Sequence, residues 1–260
     1  MPRIRGRLLT ALPVVAGWLV SPLAAQVNIE SLRREDPPQG LSGSLGGDVN
    51  ITTGNVDLVQ INANARLTHV SGLVQTLLIG QGGIGFLGRN RYASSGLLHF
   101  RKTYWYRSWV APEWYLQADY DRALRLDYRM LGGGGIRLDF ARGAWGRFGA
   151  GTSLMLEYEH LSLAADAVHD SRTTTLRNSS FLTLRVTPAG DLVVSSTTYV
   201  QPAVDHPIDD LRVLENLRVA TSLTDRLQLT VTFDARYDSE PPDGISGLDT
   251  RLRTGVTYTY

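Results

Sequence analysis

The chain has 260 residues, enough for one large β domain or two average ones. Its 26 basic and 25 acidic side chains leave a formal charge of +1, which gives no reason to expect a nucleic-acid partner. Cysteine is absent, which excludes disulfides and thiol chemistry. His69, His99, His160, His169 and His206 lack metal-ligand spacing, so neither metal nor cofactor is expected.

The first segment, "MPRIRGRLLTALPVVAGWLVSPLAAQ", has a basic start at Arg3, Arg5 and Arg7. An apolar run follows from Leu8 to Val20, and then a small-residue exit from Ser21 to Ala25. This is the pattern of a secretory signal peptide over residues 1–25. An exported mature protein follows from it. No later stretch is long and apolar enough to predict a transmembrane helix. Residues 26–40, "QVNIESLRREDPPQG", are polar with two prolines and read as a lead-in or a small plug.

From Leu41 onward the pattern is period two, in segments of about ten residues separated by Gly, Pro, Asn and Asp clusters. "LQLTVTFDARY" is the clearest. Leu227, Leu229, Val231, Phe233, Ala235 and Tyr237 form one face; Gln228, Thr230, Thr232, Asp234 and Arg236 form the other. The same alternation predicts twelve strands near 41–53, 56–69, 73–86, 92–105, 112–121, 126–140, 147–159, 173–187, 191–201, 210–220, 227–237 and 249–260. Three are irregular. Residues 73–86 alternate poorly, Arg101 and Lys102 stand side by side, and Glu215 falls on an apolar parity.

A soluble sandwich turns its apolar face into a core, whereas a transmembrane barrel turns it to lipid and keeps the polar face inside. Here the polar parity carries charge deep within strands, and the apolar parity is rich in Ala, Gly and Thr. The predicted fold is therefore an all-β, antiparallel, up-and-down barrel of about twelve strands over residues 41–260, closed by the C-terminal strand. Aromatics gather at strand ends (Tyr104, Trp105, Tyr106, Trp109, Trp114, Tyr115, Trp145, Phe148, Tyr258 and Tyr260), as interfacial girdles do. Links after even strands are short, and the long ones follow odd strands, as expected for a periplasmic N-terminus.

Several motifs, in order and spacing, carry a resemblance over the whole mature chain. They are "VNIESLR", "TGN" at Thr53–Asn55, "ADYDRALRLDYRMLGGGGIRLDF", "YVQP", "RYDSEPPDG" and the aromatic last strand. With them the chain resembles the salt-induced outer membrane protein family of Gram-negative bacteria, a class of unknown function. The resemblance implies an outer-membrane barrel and supplies no catalytic residue. It also implies that the aromatic end, Tyr258 and Tyr260, is presented to the barrel assembly machinery. Outer-membrane lipids and periplasmic chaperones are the other expected partners, and a monomer is the expected state.

Two constellations remain. The inward parity holds Glu113, Asp119, Asp127, Glu157, Glu159 and Asp234 against Arg129, Arg137, Arg177, Arg185, Arg236, Arg251 and Arg253. These could line a selectivity ladder or pair into a network that fills the lumen; near balance of sign favours the network. The second is His160 and Ser162, two apart and on one parity, the spacing of a base and nucleophile in barrel lipid hydrolases. A third group to orient His160 is missing, with Asp166 or Asp170 the available candidates. No enzymatic activity is expected. The role expected is structural or porin-like transport, with a lipid hydrolase or a soluble periplasmic binding protein as alternatives. Gly132–Gly135 lack a phosphate-loop ending and are expected to permit a bend or the approach of a plug.

Overall fold

The computed structural model describes residues 28–33, 37–54, 57–143, 145–224 and 227–258. Residues 1–25, with the predicted signal peptide, lie outside the described residues, as does Tyr260. One helical turn, α1 (Ile29–Leu32), precedes twelve strands. These are β1 (Gly40–Thr52), β2 (Leu58–Ser71), β3 (Val74–Leu87), β4 (Asn90–Tyr104), β5 (Val110–Asp121) and β6 (Leu126–Gly143). They continue as β7 (Gly146–Leu161), β8 (Arg172–Ala189), β9 (Leu192–Pro202), β10 (Leu211–Thr224), β11 (Leu227–Asp238) and β12 (Leu248–Tyr258). All lie in one sheet in the order β1 to β12, each antiparallel to the next. The lower end below is the one where β1 begins, and the upper end the one where it finishes.

The turns follow from their residues. Gly72, Gly88 and Gly190 have φ of 58°, 59° and 45° and open two-residue links at the lower, upper and lower ends. A positive φ at the first position only is the type II′ arrangement, which suits the twist of paired strands and favours glycine there. Upper links after odd strands include the long ones, 162–171, 203–210 and 239–247.

The sheet is rolled, and α1 measures the roll. Asn28, which caps α1, donates its side-chain amide to the Thr197 carbonyl on β9 at 2.8 Å. Four residues on, the Leu32 carbonyl accepts from Arg66 on β2 at 3.0 Å. A flat sheet would hold strands seven places apart at roughly 34 Å, while one helical turn spans about 6 Å. Only a curled sheet brings both walls to α1. Among the described residues the hydrogen-bonded ladders run from β1 to β12 without a β1–β12 pair, and the roll itself gives the barrel form.

Alternation places apolar side chains outside. On β5 the odd positions Ala111, Glu113, Tyr115, Gln117, Asp119 and Asp121 are buried, and the even ones from Pro112 to Tyr120 are exposed. Leu78, Leu98, Leu116, Met130, Leu154, Leu156 and Leu182 stand exposed on the outer face. Near its lower end are Tyr104, Trp114, Phe140 and Phe148; near its upper end are Tyr120, Tyr128 and Tyr237. The irregular strands also have reasons. Leu77 and Ile79 of β3 point inward because they pack on Ile29 of α1, so both faces of that strand are apolar. Arg101 turns inward, while Lys102 turns outward, 5.5 Å from the Tyr104 ring. Glu215 stays on the outer face without a bulge at its position and accepts from Ser196 of β9 at 2.8 Å.

Candidate functional site

The interior is built in layers, and β5 reads them off from the lower end, two residues at a time. Glu113 belongs to the first layer. Arg101 of β4 contacts Glu113 at 3.2 Å and Glu30 of α1 at 2.6 Å, and Arg137 of β6 pairs with Glu30 as well. Arg33 adds a third guanidinium, 3.9 Å from Glu113 and hydrogen-bonded to Gln75 at 2.7 Å. Burial alone would raise the Glu30 pKa; Arg137, Arg101 and Arg33 outweigh it and bring the carboxyl to about 2. Burial and the neighbouring Arg137 lower Arg33 to about 10, opposed by Glu30 and Glu113, so it stays charged at neutral pH.

The next layer is largely apolar. Tyr115, Leu131 and Met155 form one cluster and Phe181, Tyr199 and Leu214 another. The glycines of β6 make room for it. A Cβ on Gly133 would fall 2.6 Å from the Tyr115 ring, and one on Gly135 would fall 2.0 Å from the Thr152 carbonyl oxygen. Gly151 of β7 receives Phe181 in the same way. These glycines therefore accept aromatic rings and close strand approach, an inter-strand form of the packing known as aromatic rescue. The expectation that they admit the plug is corrected, and Tyr115, expected among the girdle aromatics, lies inside. A cavity of about 40 Å³ within this layer has room for a few waters at most.

Above it lies a second charge layer. Arg129 pairs with Asp119 at 2.9 Å and Glu159 at 3.4 Å. Arg177 pairs with Glu157 at 2.9 Å and forks onto Asp210 at 2.7 and 2.8 Å. Arg212 joins Glu157 at 2.7 Å, Glu159 at 2.9 Å and Asp238 at 3.0 Å. Arg236 links Asp238 to Asp249. Buried charges in such a network persist because each keeps an oppositely charged partner.

Glu113, Asp119, Arg129, Arg137, Glu157, Glu159, Arg177 and Arg236 thus lie in the two charge layers. Asp234, Arg251 and Arg253 lie apart, on the inner face of β11 and β12, with Asp234 2.7 Å from Arg253. Arg185 faces inward near the lower end and is exposed. Asp127 is a correction. The β6–β7 register shifts between Leu126 and Tyr128, which turns Leu126 inward and Asp127 outward. There it meets His160 at 3.2 Å, against which Tyr128 stacks at 5.2 Å.

Asp127 is thus the carboxylate beside His160, in place of Asp166 or Asp170. Ser162 is exposed; its backbone N–H donates to Arg125 at 2.7 Å, and its hydroxyl has no partner among the described residues. The structure therefore brings His160 to a carboxylate and does not join it to Ser162. The backbone of Tyr258 pairs with Leu227.

Sequence reasoning missed Glu30, Arg33, Arg101, Arg212, Asp210 and Asp238. Two lie on α1 or its flank and one in a loop, where strand parity says nothing. Arg101 was obscured by Lys102. Beside the layers, the inner face of β10–β12 and α1 enclose a cavity of about 800 Å³, reached by Gln81 of β3 from the opposite wall and by Gly244–Ser246 from the upper loops. Among the described residues no cluster of His, Asp or Glu could hold a metal ion, and no helix is long and apolar enough to cross a membrane.

An up-and-down sheet rolled around a charged, layered interior, with an apolar outer face, defines a protein of the β-barrel class. Within that class the chain belongs to the family described as protein of unknown function DUF481, whose model matches residues 44–260. In fold it is similar to the translocator domain of the autotransporter NalP from Neisseria meningitidis. The two share 12% identity over 87% of this chain and 90% of that one, with a TM-score of 0.40. It is also similar, at 11% identity over 85% and 83% of the two chains and a TM-score of 0.37, to a chain from a study of the in-meso crystallization of membrane proteins. No curated protein matches it.

Proposed function

We propose that the chain is an integral outer-membrane β-barrel without enzymatic activity, related to the salt-induced outer membrane proteins by the motifs quoted above. It forms a partly plugged passage along β10–β12. The observation that carries this reading is the inversion of the sheet. Leucines crowd the outer face, while the guanidiniums and carboxylates of the two layers are buried inside. A soluble sheet of this size would leave that leucine face in water, whereas lipid covers it without requiring a second layer. Aromatic residues near both ends of the outer face fit interfacial belts, and Lys102 beside Tyr104 fits a side chain reaching for headgroups. In this reading the lower end is periplasmic, β12 meets β1 to complete the wall, and the barrel is a monomer. The β3–β9 side is filled by α1 and the layers, and the 800 Å³ cavity is the remaining path.

The protein is expected in the outer-membrane fraction and should migrate differently in gels before and after boiling. Refolded into planar bilayers, it should give ohmic conductance. A soluble periplasmic protein with heat-independent mobility would refute the membrane reading, and a silent bilayer would refute the passage.

A further inference from the structure

The lower part of the inner wall carries a row that no single strand reveals. Across the ladders, Arg142 of β6 faces Arg147 of β7, and Arg147 faces Arg185 of β8. Arg185 faces Ser195 of β9, which faces Arg218 of β10. Arg218 faces Thr232 of β11, which faces Arg253 of β12. Directly opposed residues share one face of a sheet. Five guanidiniums therefore stand in one row across seven strands. The face is the inner one, since Arg147 shares parity with Met155 and Glu157, and Arg218 with Arg212 and Leu214.

The strands bring few carboxylates to this level. Asp139 contacts Arg142 at 3.3 Å and Asp234 contacts Arg253 at 2.7 Å; Asp191 sits in the β8–β9 turn below. Arg218 has no partner among the described residues. The row opens into the 800 Å³ cavity, which Arg218, Arg251 and Arg253 line together. Above, the second charge layer sets Asp119, Glu157, Glu159, Asp210 and Asp238 against four arginines. Arg142, Arg147 and Arg185 are engaged as well, and among the described residues the inner wall is thus polarised along its axis, with the excess of positive charge at the lower mouth.

We propose that the lower mouth is a binding vestibule for small, multiply charged oxyanions of the phosphate and pyrophosphate type. Guanidinium forks match phosphate oxygens two at a time, and like charges along a low-dielectric wall concentrate counter-ions at the mouth. Arg185, Arg218 and Arg253 are exposed, so the row has room for ligand and water. That such anions enter the cavity rests on the passage reading; their binding at the mouth does not.

Calorimetric titration of the refolded full chain in detergent micelles with sodium pyrophosphate tests the vestibule. Binding is expected at low ionic strength. It should weaken roughly tenfold or more in the triple variant Arg185→Gln, Arg218→Gln, Arg253→Gln, and on adding salt to about 1 M. The corresponding Arg→Lys triple variant should keep most of it. Absence of binding, or equal affinity in the glutamine variant with its heat-modifiable mobility intact, overturns the proposal. A conductance measurement in a salt gradient separates the two readings, since a silent membrane removes the passage while the titration still decides the vestibule.

Discussion

Glu30 is the residue on which the lower charge layer turns. It sits among Arg101, Arg137 and Arg33, and its partners come from two strands and the flank of its own helix. Removing one member of a buried ion cluster costs roughly 3–5 kcal/mol, because the others lose their compensation. Glu30→Gln should therefore undock α1, and trypsin should cut after Arg33 in the folded, micelle-bound protein much faster than in the parent; equal cleavage rates would count against the latch. The pH response has a definite sign. A carboxyl whose pKa the arginines bring from 4.5 to about 2, against the effect of burial, stabilises the docked state fully above about 4.5 and loses that contribution as pH falls toward 2. Tryptic cutting times are too slow in acid, so pepsin or hydrogen exchange of α1 amides is the suitable measure, with release expected only inside that window. Nothing in "NIESLRRED" identified this residue, because its role depends on strands far away in sequence. The helical turn there is held locally by the Asn28 cap, whose side-chain oxygen accepts from the Ser31 N–H at 3.1 Å.

Among the elements, β6 and its neighbours were the most and the least legible. The twelve strands lie within a few residues of the positions set by alternation, because most strands have one apolar and one polar face, and period two survives even in weakly hydrophobic sequence. What alternation could not foresee was rotation at a bulge, which sent Asp127 outward; Tyr115, counted with the girdle aromatics, instead follows the inward parity of Glu113 and Asp119. The glycine run carries a sharp expectation. Gly135→Val should destabilise the barrel by about 3 kcal/mol, the upper part of the usual overpacking range, since its Cβ would meet the Thr152 carbonyl at 2.0 Å and the backbone cannot yield as a side chain can. Gly80→Ala, which would meet nothing within 4 Å, is the control and should be nearly neutral. Urea unfolding in micelles followed by tryptophan fluorescence compares the two, and equal midpoints would refute the packing account.

For the whole molecule, the roll of the sheet and the axial polarity both emerge only from register, which no single stretch of sequence encodes. The inward parity of Arg185 and Arg253 was readable; their alignment in one row with Arg147 and Arg218 was not. The aromatic end belongs to this scale too. Deleting Tyr260 should reduce recovery of heat-modifiable protein in membranes several-fold while leaving refolding in micelles intact, if the residue serves assembly rather than stability; full recovery would rule out that role. α1 has a consequence for the order of events during folding. Its hydrogen bonds reach β2 and β9, and its ion pairs reach β4 and β6. Strands far apart in sequence must therefore come together before residues 28–33 make their full set of bonds, so docking of α1 and curling of the sheet complete one another. α1 thus acts as a clasp that joins the early strands of the sheet to the late ones.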